Sequence, residues 1–509
     1  MGFLILFFMN KKKTAVDITR EEDFPLWYQE VIKLGDLAEH SAVRGCMVIK
    51  PRGYAIWENI QRVMDKAFKK RGVQNAYFPL FIPLEYLERE AAHVDGFAKE
   101  CAIVTHTRLE KGPDGKLVPA GKLEEPLIVR PTSETIIGES FAAWIQSYRD
   151  LPLRINQWCN IVRWEMRPRL FLRTAEILWQ EGHTAHATEI EALEEAQTGQ
   201  AVYADIIENY LAIPVVKGEK SEGERFPGAE NTFTLEAMMQ DGKALQMCTS
   251  HYLGQNFSKA SNIKFLSKDG KEEFAYTTSW GSTTRLIGAI IMVHADDNGI
   301  IIPPRIASKH IAIIPILTNE EKNAEVLAYC KQLKEMLTEK HYYGVELGID
   351  VIDDDRRAGD KSWDAIKKGY PVRIEVGARD IESKTLPVFV RTKEKSEKEL
   401  LSFEQIDEKI ISILEQIHVT LFEKAKLHRD QHTIQVNTLE EFTKAVKSDQ
   451  FPGCFIKASY GGDKQLEDEI QKEYGVCIRC IPKHQPSNSS SCLFKGKNKP
   501  VEAIFAKSY

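Results

Sequence analysis

The sequence predicts a multidomain α+β protein with an antiparallel-sheet core, an α/β domain and a small α+β C-terminal domain. The chain has 509 residues, enough for about two to four domains. Several short strand patterns lie between residues 100 and 290, as in an antiparallel sheet with helices packed around it. Beyond residue 304, strands and helices alternate, which is typical of an α/β domain with parallel pairs.

Composition and linker-forming residues divide the chain into four predicted segments. Residues 1–20 form a leader that we expect to be disordered, because its apolar run is too short to span a bilayer and its lysines follow that run instead of preceding it. The core domain covers 21–303, the α/β domain 304–425 and the C-terminal domain 426–509. Met9 opens a second plausible start, and the sequence leaves that choice open.

Charge and cysteine content limit the classes of protein that fit. The net charge is −6, so no overall basic field indicates a nucleic-acid partner, although a local basic surface would be enough to contact phosphates. The nine cysteines follow no repeated spacing, which favours a reducing compartment over a disulfide framework. We therefore expect a cytoplasmic protein that does not associate with membranes.

The core domain is predicted to begin with two helical patterns, FPLWYQEVIKL and GYAIWENIQRVMDKAFKKRG. The second places its apolar residues on one face and ends at Gly72. The predicted strand NAYFPLFIP follows, with Pro79 inside it. Proline lacks an amide donor, so it suits a sheet edge or a subunit boundary. From this pattern alone, the helix fits an interface and an ordinary amphipathic packing equally well.

The middle of the core is predicted to contain a hairpin over 100–130, a helix over 190–212 and strands between 231 and 257. Arg163 and Arg173 flank a break at Pro168 between two strand patterns. Two facing arginines can clamp a polyphosphate, because the planar guanidinium matches phosphate oxygens bidentately. An isolated pair of this kind is more often an exposed hairpin whose arginines only solvate it.

Four further motifs change that interpretation. They are RPTSE (130–134), FLRT with LWQEGHTAH (171–186), QMCTSH (246–251) and SWGSTTR (279–285). In this order they resemble the catalytic core of class II aminoacyl-tRNA synthetases, and in detail the prolyl-tRNA synthetase family. The resemblance runs from about Phe24 to Tyr509. Only about 120 residues separate Arg163 from Arg285, which leaves no room for a bacterial-type editing insertion and resembles the archaeal/eukaryotic type.

The resemblance implies a homodimer formed through the helix and strand around Gly53 to Pro79, with ATP, Mg²⁺, L-proline and tRNA(Pro) as ligands. It implies catalytic roles for Arg163 and Arg285. The implied ATP-binding residues are Arg163, Glu165, Phe171, Arg173, Thr174, Gln246, Thr249, Thr283 and Arg285. The implied proline-binding residues are Thr132, Glu134, Arg163, Trp179, Glu181, His183 and His251. No protein ligand for the magnesium is predicted, because glutamine and threonine are neutral and spacing alone does not define a site.

Alternation supports part of the proline site independently. Trp179, Glu181 and His183 occupy alternate positions of one predicted strand, so their side chains share a face. A single tryptophan or histidine in a strand is usually a core residue, and it is the alternation with a carboxylate that favours a binding site.

The resemblance implies that the segment RRAGDKSWDAIKKG and its continuation contact the anticodon, with Arg356, Lys361 and Arg379 as candidates. A solvated helix face is the alternative. The family often carries four zinc-binding cysteines in its last domain. Here the region SYGGDKQLEDEI has no cysteine and Cys492 lacks its neighbour, so we expect no structural zinc.

Two other functional assignments are alternatives to this one. A threonyl-tRNA synthetase would need a zinc-binding Cys/His set in its pocket, and the sequence lacks one. A non-catalytic RNA-binding paralogue would be expected to lose an ATP-contacting arginine, whereas Arg163, Arg173 and Arg285 are all present.

Overall fold

A computed structural model describes residues 14–89, 100–318, 320–447, 453–485, 491–496 and 498–509. Within these ranges the α-helices are Phe24–Leu34, Pro51–Lys69, Leu84–Arg89, Glu134–Trp144, Glu189–Asn209, Asn256–Ala260, Arg285–His294, Glu320–Thr338, Ala358–Lys367, Ala378–Ser383, Phe403–Gln431, Leu439–Val446 and Lys464–Tyr474. None of the described helices is long and apolar enough to span a bilayer.

The described strands are β1 (Ala38–His40), β2 (Met47–Ile49), β3 (Gln74–Asn75), β4 (Phe81–Pro83), β5 (Ala102–Lys111), β6 (Leu117–Val129), β7 (Leu153–Val162), β8 (Glu176–His186), β9 (Val215–Glu219), β10 (Asn231–Met238), β11 (Ala244–Gly254), β12 (Lys264–Leu266), β13 (Glu272–Phe274), β14 (Tyr276–Thr283), β15 (Ile311–Ile316), β16 (His341–Tyr342), β17 (Val345–Glu346), β18 (Ile349–Val351), β19 (Val372–Gly377), β20 (Leu386–Val390), β21 (Glu399–Leu401), β22 (Thr433–Gln435), β23 (Phe455–Tyr460), β24 (Cys477–Pro482) and β25 (Val501–Ala506). The chain divides into two compact units, one from 1–37 with 294–418 and one from 38–293 with 419–509.

The second unit is built on an eleven-stranded sheet in the order β22-β23-β25-β24-β9-β10-β11-β14-β8-β7-β3. Its pairs from β23 to β7 are antiparallel. The helix Glu189–Asn209 packs on this sheet and buries Tyr203 completely. The predicted α+β class with an antiparallel core is confirmed.

The last strands of the chain extend this sheet. β24 pairs with β9 through Ile481↔Glu219 and Pro482↔Gly218. The C-terminal strands, predicted as a small domain over 426–509, thus share backbone hydrogen bonds with the core sheet, and the two sets of strands form one structural unit.

The first unit contains a five-stranded mixed sheet in the order β18-β15-β19-β20-β21. β15 is parallel to β18 and β19, as expected of a βαβ arrangement. The N-terminal residues of the same unit are packed rather than loose: Val16 is fully buried and its amide donates to the carbonyl of Asp297. The predicted disordered leader therefore differs from the structure over 14–20, while residues 1–13 lie outside the described ranges.

The predicted strand NAYFPLFIP is split in two. β3 ends at Asn75 and β4 begins at Phe81, and the residues between them form no strand. Pro79 has no amide to donate, and the amide of Phe78 donates to the side-chain oxygen of Gln157 at 2.5 Å instead of to a strand partner. A proline and a side-chain acceptor therefore interrupt what the apolar pattern indicated as one strand.

Candidate active site

A cavity of about 340 Å³ opens on one face of the antiparallel sheet in the second unit. Alternate residues of β8 line it, as the pleat of a strand requires, and β11 and β14 contribute further lining residues. Most of the predicted site residues line it: Thr132, Glu134, Arg163, Phe171, Thr174, Trp179, Glu181, His183, Gln246, Thr249, His251, Thr283 and Arg285. Motifs up to about 150 residues apart in sequence are thus brought to one place.

The inner end of the cavity is organised around the buried carboxylate of Glu181. Its Oε1 accepts from Ser133 Oγ at 2.7 Å and Gln157 Nε2 at 2.8 Å, and Oε2 lies 3.1 Å from His183 Nε2. Burial alone would raise the pKa of Glu181, but the hydrogen bond and charge of His183 outweigh it and the pKa is lowered. Burial would lower the pKa of His183, yet the interaction with Glu181 raises it. The geometry therefore favours a carboxylate–imidazolium pair.

His251 completes the inner wall. Its Nδ1 lies 3.0 Å from Thr232 Oγ1, and its ring lies 4.5 Å from the ring of Phe226. Burial, with a smaller contribution from His183, lowers the pKa of His251 to about 3. His251 is therefore a neutral, polar wall of the cavity beside a charged pair.

Arg163 lies between the inner and outer ends. Its Nε donates to the carbonyl of Pro131 at 2.8 Å, and its guanidinium lies 5.8 Å from the centre of the Trp179 ring. Burial lowers the pKa of Arg163, and the charges of Glu134, Glu100 and Glu181 act in the opposite direction. The RPTSE loop that holds it is fixed by Arg130, which is buried and donates to the carbonyl of Phe78 at 2.7 Å.

The outer end is more open. Arg173 and Glu165 are not among the cavity-lining residues; Arg173 Nη1 lies 3.9 Å from Glu165 Oε2, and the Arg173 side chain is 52% exposed. Phe171 between them is buried and adopts φ +63°, a left-handed conformation that bulky residues rarely take. The turn that predicted a phosphate clamp is therefore present, with its arginine facing outward.

Arg285 begins the helix Arg285–His294 and lines the same cavity. Its amide donates to Thr283 Oγ1 at 3.0 Å, and its guanidinium makes two long contacts of 3.4 Å with the carbonyls of Leu172 and Gln246. Burial, followed by the charge of Arg173, lowers the pKa of Arg285 to about 10, so it remains a cation. Arg163, Arg225 and Arg285 line the cavity, and Arg173 lies near enough to Arg285 to affect its pKa, so the cavity is suited to a polyanionic ligand.

Several side chains that line this site were not predicted from the sequence, among them Arg225, Phe226, Thr232 and Ser279. Phe226 lines the cavity from the loop between β9 and β10, and Thr232 orients His251. Ser279 also lines it, and its buried hydroxyl has no hydrogen-bond partner among the described residues. Ser279 alternates with Gly281 and Thr283 along β14, so period-two alternation could have found it. The loop KSEGERFPGAE gives no such signal for Phe226.

The predicted anticodon residues lie in the first unit and are not brought together at one cavity. Arg356 is paired with Asp354 and Asp364, Lys361 is only 2% exposed, and Arg379 lies in the first turn of the helix Ala378–Ser383.

A cavity of about 660 Å³ in the same unit is lined by other side chains. Trp363, Arg373, Glu375 and Phe389 contribute to it, and Arg373 and Glu375 alternate along β19. Two aromatic side chains thus flank a cation and a carboxylate, a combination that the sequence analysis did not identify.

The cysteines of the last strands do not gather around a common point. Within the parts of the chain that the structure describes, no three His, Cys, Asp or Glu side chains form a metal-binding group. Cys492 Sγ accepts from the amides of Gly461 and Gly496 at 3.1 and 3.3 Å. The glycine turn of SYGGDK and Cys492 are therefore adjacent, and backbone amides surround the sulfur.

Comparison with known proteins agrees with this geometry. Residues 120–294 match the family described as tRNA synthetase class II core domain (G, H, P, S and T), 310–413 match the anticodon binding domain, and 439–509 match the prolyl-tRNA synthetase C-terminal family. The fold and the site thus define a class II aminoacyl-tRNA synthetase.

Full-length relatives identify the family within that class. The chain is 56% identical to the proline–tRNA ligase of Protochlamydia amoebophila over 506 residues, which cover 98% of this chain and 99% of the relative. It is 53% identical to the proline–tRNA ligase of Bdellovibrio bacteriovorus over 500 residues, 97% of this chain and 99% of the relative. The chain belongs to the proline–tRNA ligase family, and the resemblance inferred from its motifs is confirmed.

Proposed function

We propose that this protein activates L-proline with ATP to prolyl-adenylate and transfers the prolyl group to tRNA(Pro), releasing AMP and diphosphate. The observation that carries the proposal is the cavity in which a small, buried inner end with the carboxylates of Glu134 and Glu181 adjoins the arginines Arg163 and Arg285. The inner end has the size and charge for a cyclic secondary ammonium, and the arginines suit a nucleoside triphosphate.

The chemistry requires in-line attack of the proline carboxylate on the α-phosphate of ATP. Arg163 adjoins both ends, so it is placed to hold the carboxylate and to neutralise charge that develops on the phosphate. Glu134 and Thr132, hydrogen-bonded to each other, offer acceptors for the ammonium hydrogens. Trp179 and His251 provide walls for the ring, and Phe226 adds an apolar one.

On the nucleotide side, we propose that Phe171 stacks on the adenine and that Glu165, Arg173, Thr174, Thr283 and Arg285 contact ATP. The long contacts of Arg285 with carbonyls leave donor capacity for phosphate oxygens. Gln246 and Thr249 offer neutral oxygens at the same place. That donor set fits Mg²⁺ held mainly by phosphates and waters, and the ion would supply further neutralisation of phosphate charge.

For tRNA, we propose that the cavity beside β19 receives an anticodon base. Arg373 can donate to O6 and N7 of a guanine and Glu375 can accept from its Watson–Crick edge, while the exposed ring of Trp363 offers a stacking surface. Arg356 and Arg379 remain candidates for neighbouring phosphates. Arg373 takes the place of Lys361 in this proposal, because Arg373 lines the cavity and Lys361 does not.

We further propose a cytoplasmic homodimer of the archaeal/eukaryotic type, with domains at 21–303, 304–425 and 426–509. The dimer would use the helix Pro51–Lys69 and the segment around Pro79, where Tyr54, Tyr77 and Phe81 are exposed. Isologous interfaces of this kind are the commonest in soluble oligomers. Light scattering at micromolar concentration tests this, and a monomer would contradict it.

We also propose that the C-terminal strands hold no structural zinc, because a site that lacks thiolates does not close around the ion. Chelators should leave the melting temperature unchanged. One zinc per chain by elemental analysis, lost on Cys492→Ser, would show the opposite.

ATP–pyrophosphate exchange with each amino acid in turn tests the main proposal. Exchange should depend on proline. Preference for threonine would indicate the threonyl alternative, and exchange with no amino acid would indicate a non-catalytic paralogue.

A further inference from the structure

The pocket loop, residues 220–230, connects β9 to β10 and brings Phe226 to the cavity. The core itself fixes the later part of this loop. The amide of Phe226 donates to Thr232 Oγ1 at 3.0 Å, and the same hydroxyl lies 3.0 Å from His251 Nδ1. The aromatic ring is therefore tied to the wall of the proposed proline site.

The earlier part of the pocket loop is held from outside the core. Ser221 Oγ donates to Glu467 Oε2 at 2.8 Å, and the backbone amide of Gly223 also hydrogen-bonds this carboxylate. Glu467 lies on the helix Lys464–Tyr474, more than two hundred residues later in the chain. A Cβ at Gly223 would lie 2.5 Å from Glu467 Oε2, so the loop fits closely around the carboxylate.

A second contact fixes the residue where the loop begins. Lys220 Nζ donates to Glu236 Oε1 at 2.8 Å and to the carbonyl of Arg479 at 2.9 Å. The Arg479 guanidinium donates from Nε and Nη2 to Glu236 Oε2, at 3.1 Å each. Because Arg479 lies on β24 and Glu467 lies on the helix Lys464–Tyr474, two C-terminal elements bind the beginning of the pocket loop.

The charges around Glu467 indicate a positional role. Burial raises its pKa, the hydrogen bonds from Ser221 and Gly223 lower it, and the like charges of Glu224 and Glu222 raise it further. A half-buried carboxylate beside two others contributes little to the stability of a fold by itself, since partial removal of a charge from water costs free energy and the neighbouring like charges oppose it. What this carboxylate does provide is directional acceptors for two loop residues.

We propose that Glu467 is a positioning residue for amino-acid recognition: it holds the pocket loop so that Phe226 packs against the ring of bound proline. This inference rests on the proposed function. It assigns to the C-terminal helix a role in the affinity for the amino acid and none in the binding of ATP. Glu467 itself lies outside the active-site cavity and touches no substrate.

The test is ATP–pyrophosphate exchange by the full-length protein, with proline and ATP varied separately. Glu467→Ala should raise the KM for proline about ten-fold, as expected for lost hydrogen bonds to a charged group, and leave the KM for ATP within about two-fold. Ser221→Ala removes one donor from the loop side and should change the same parameter in the same direction. Glu469→Ala is the matched control, because Glu469 is an exposed carboxylate on the same helix.

A double-mutant cycle tests whether Ser221 and Glu467 act together, and the melting temperature of each variant shows whether it is folded. Ser221→Ala combined with Glu467→Ala should be little worse than Glu467→Ala alone, because the two side chains act through one contact. If Glu467→Ala fails to fold, Ser221→Ala decides the matter by itself.

Two failures are distinguishable. If the unmodified protein shows no proline-dependent exchange, the proposed function is wrong. If it does, and the folded variants keep the KM for proline within about two-fold or raise the KM for ATP equally, the role of Glu467 is wrong while the function stands.

Discussion

The two ends of the active-site cavity are built differently. At the inner end, the carboxylate of Glu181 is satisfied by Ser133, Gln157 and His183 before any ligand arrives. At the outer end, Arg173 is half-exposed and approaches Glu165 only to 3.9 Å. The inner end is thus fixed by the protein, whereas the outer end has donors still to be engaged.

This difference follows from what each end would recognise under the proposed function. Proline is small and offers few contacts, so a preorganised pocket reduces the cost of binding it. A triphosphate carries enough charge to order exposed arginines itself. Selectivity is therefore expected to depend on the inner end, and the following predictions test that division.

Arg163 adjoins both ends, so its loss should have the largest effect. Arg163→Ala should lower the rate of proline-dependent exchange by about a hundred- to a thousand-fold, as the removal of one preorganised charge typically does. Arg154→Ala is a matched control on β7, the strand that Arg163 directly follows, since Arg154 pairs with Glu195 outside the cavity. Near-normal exchange by the Arg163 variant would contradict the proposed role.

Glu181→Gln tests the inner end alone. The amide keeps the shape but removes the charge that holds His183, so the KM for proline should rise about ten- to a hundred-fold while the KM for ATP changes little. Glu195→Gln, which neutralises a buried carboxylate elsewhere in the unit, is the control for general loss of stability. An equal rise in both KM values would mean that the two ends are not separate.

Arg173→Ala tests the outer end. Because this side chain is half-exposed and water screens its charge, the KM for ATP should rise only about ten-fold, with the KM for proline unchanged. Arg167→Ala removes an exposed arginine from the same turn and serves as the control. A larger effect on proline than on ATP would reverse the assignment of the two ends.

The same contrast explains what the sequence could predict. Strand alternation identified Trp179, Glu181 and His183, because a period of two fixes which side chains share a face. It did not reveal that Ser133 and Gln157 would donate hydrogen bonds to the Glu181 carboxylate, since cross-strand partners depend on register. Phe226 was not predicted because it lies in a loop, and a loop sequence has no periodic pattern of residues.

Fold prediction failed where a long-range contact determined the outcome. The apolar pattern around Pro79 indicated one strand, but the Phe78 amide is taken by Gln157, which lies far along the chain. The C-terminal domain was predicted over 426–509, and the sequence pattern could not show that its strand β24 pairs with β9 of the core sheet. Local patterns specify elements, and the partners of their edges come from the tertiary structure.

The smallest expected effect concerns protonation of the inner end. Burial lowers the pKa of His251 to about 3, against 6.5 for the free side chain, so the unfolded chain takes up a proton below pH 6.5 while the folded protein does not. The free energy of unfolding is therefore highest, as far as His251 is concerned, above pH 6.5, and it decreases as the pH falls toward 3. Between about pH 6.5 and pH 5.5, the free energy of unfolding of the unmodified protein should fall by about 1 kcal/mol more than that of His251→Gln.

His183 lies on the same wall, and its contribution to the free energy of unfolding depends on pH in the opposite direction. It therefore provides the control. Its raised pKa makes its stabilising contribution complete below pH 6.5, and that contribution is lost as the pH rises through the folded-state value. The difference in free energy of unfolding between His183→Gln and the unmodified protein should therefore become smaller as the pH rises above neutral. Over the same range the corresponding difference for His251→Gln should stay constant. Denaturant titrations of the three proteins at several pH values measure both slopes. Equal slopes for the two variants would mean that the inner end does not keep one histidine charged and its neighbour neutral.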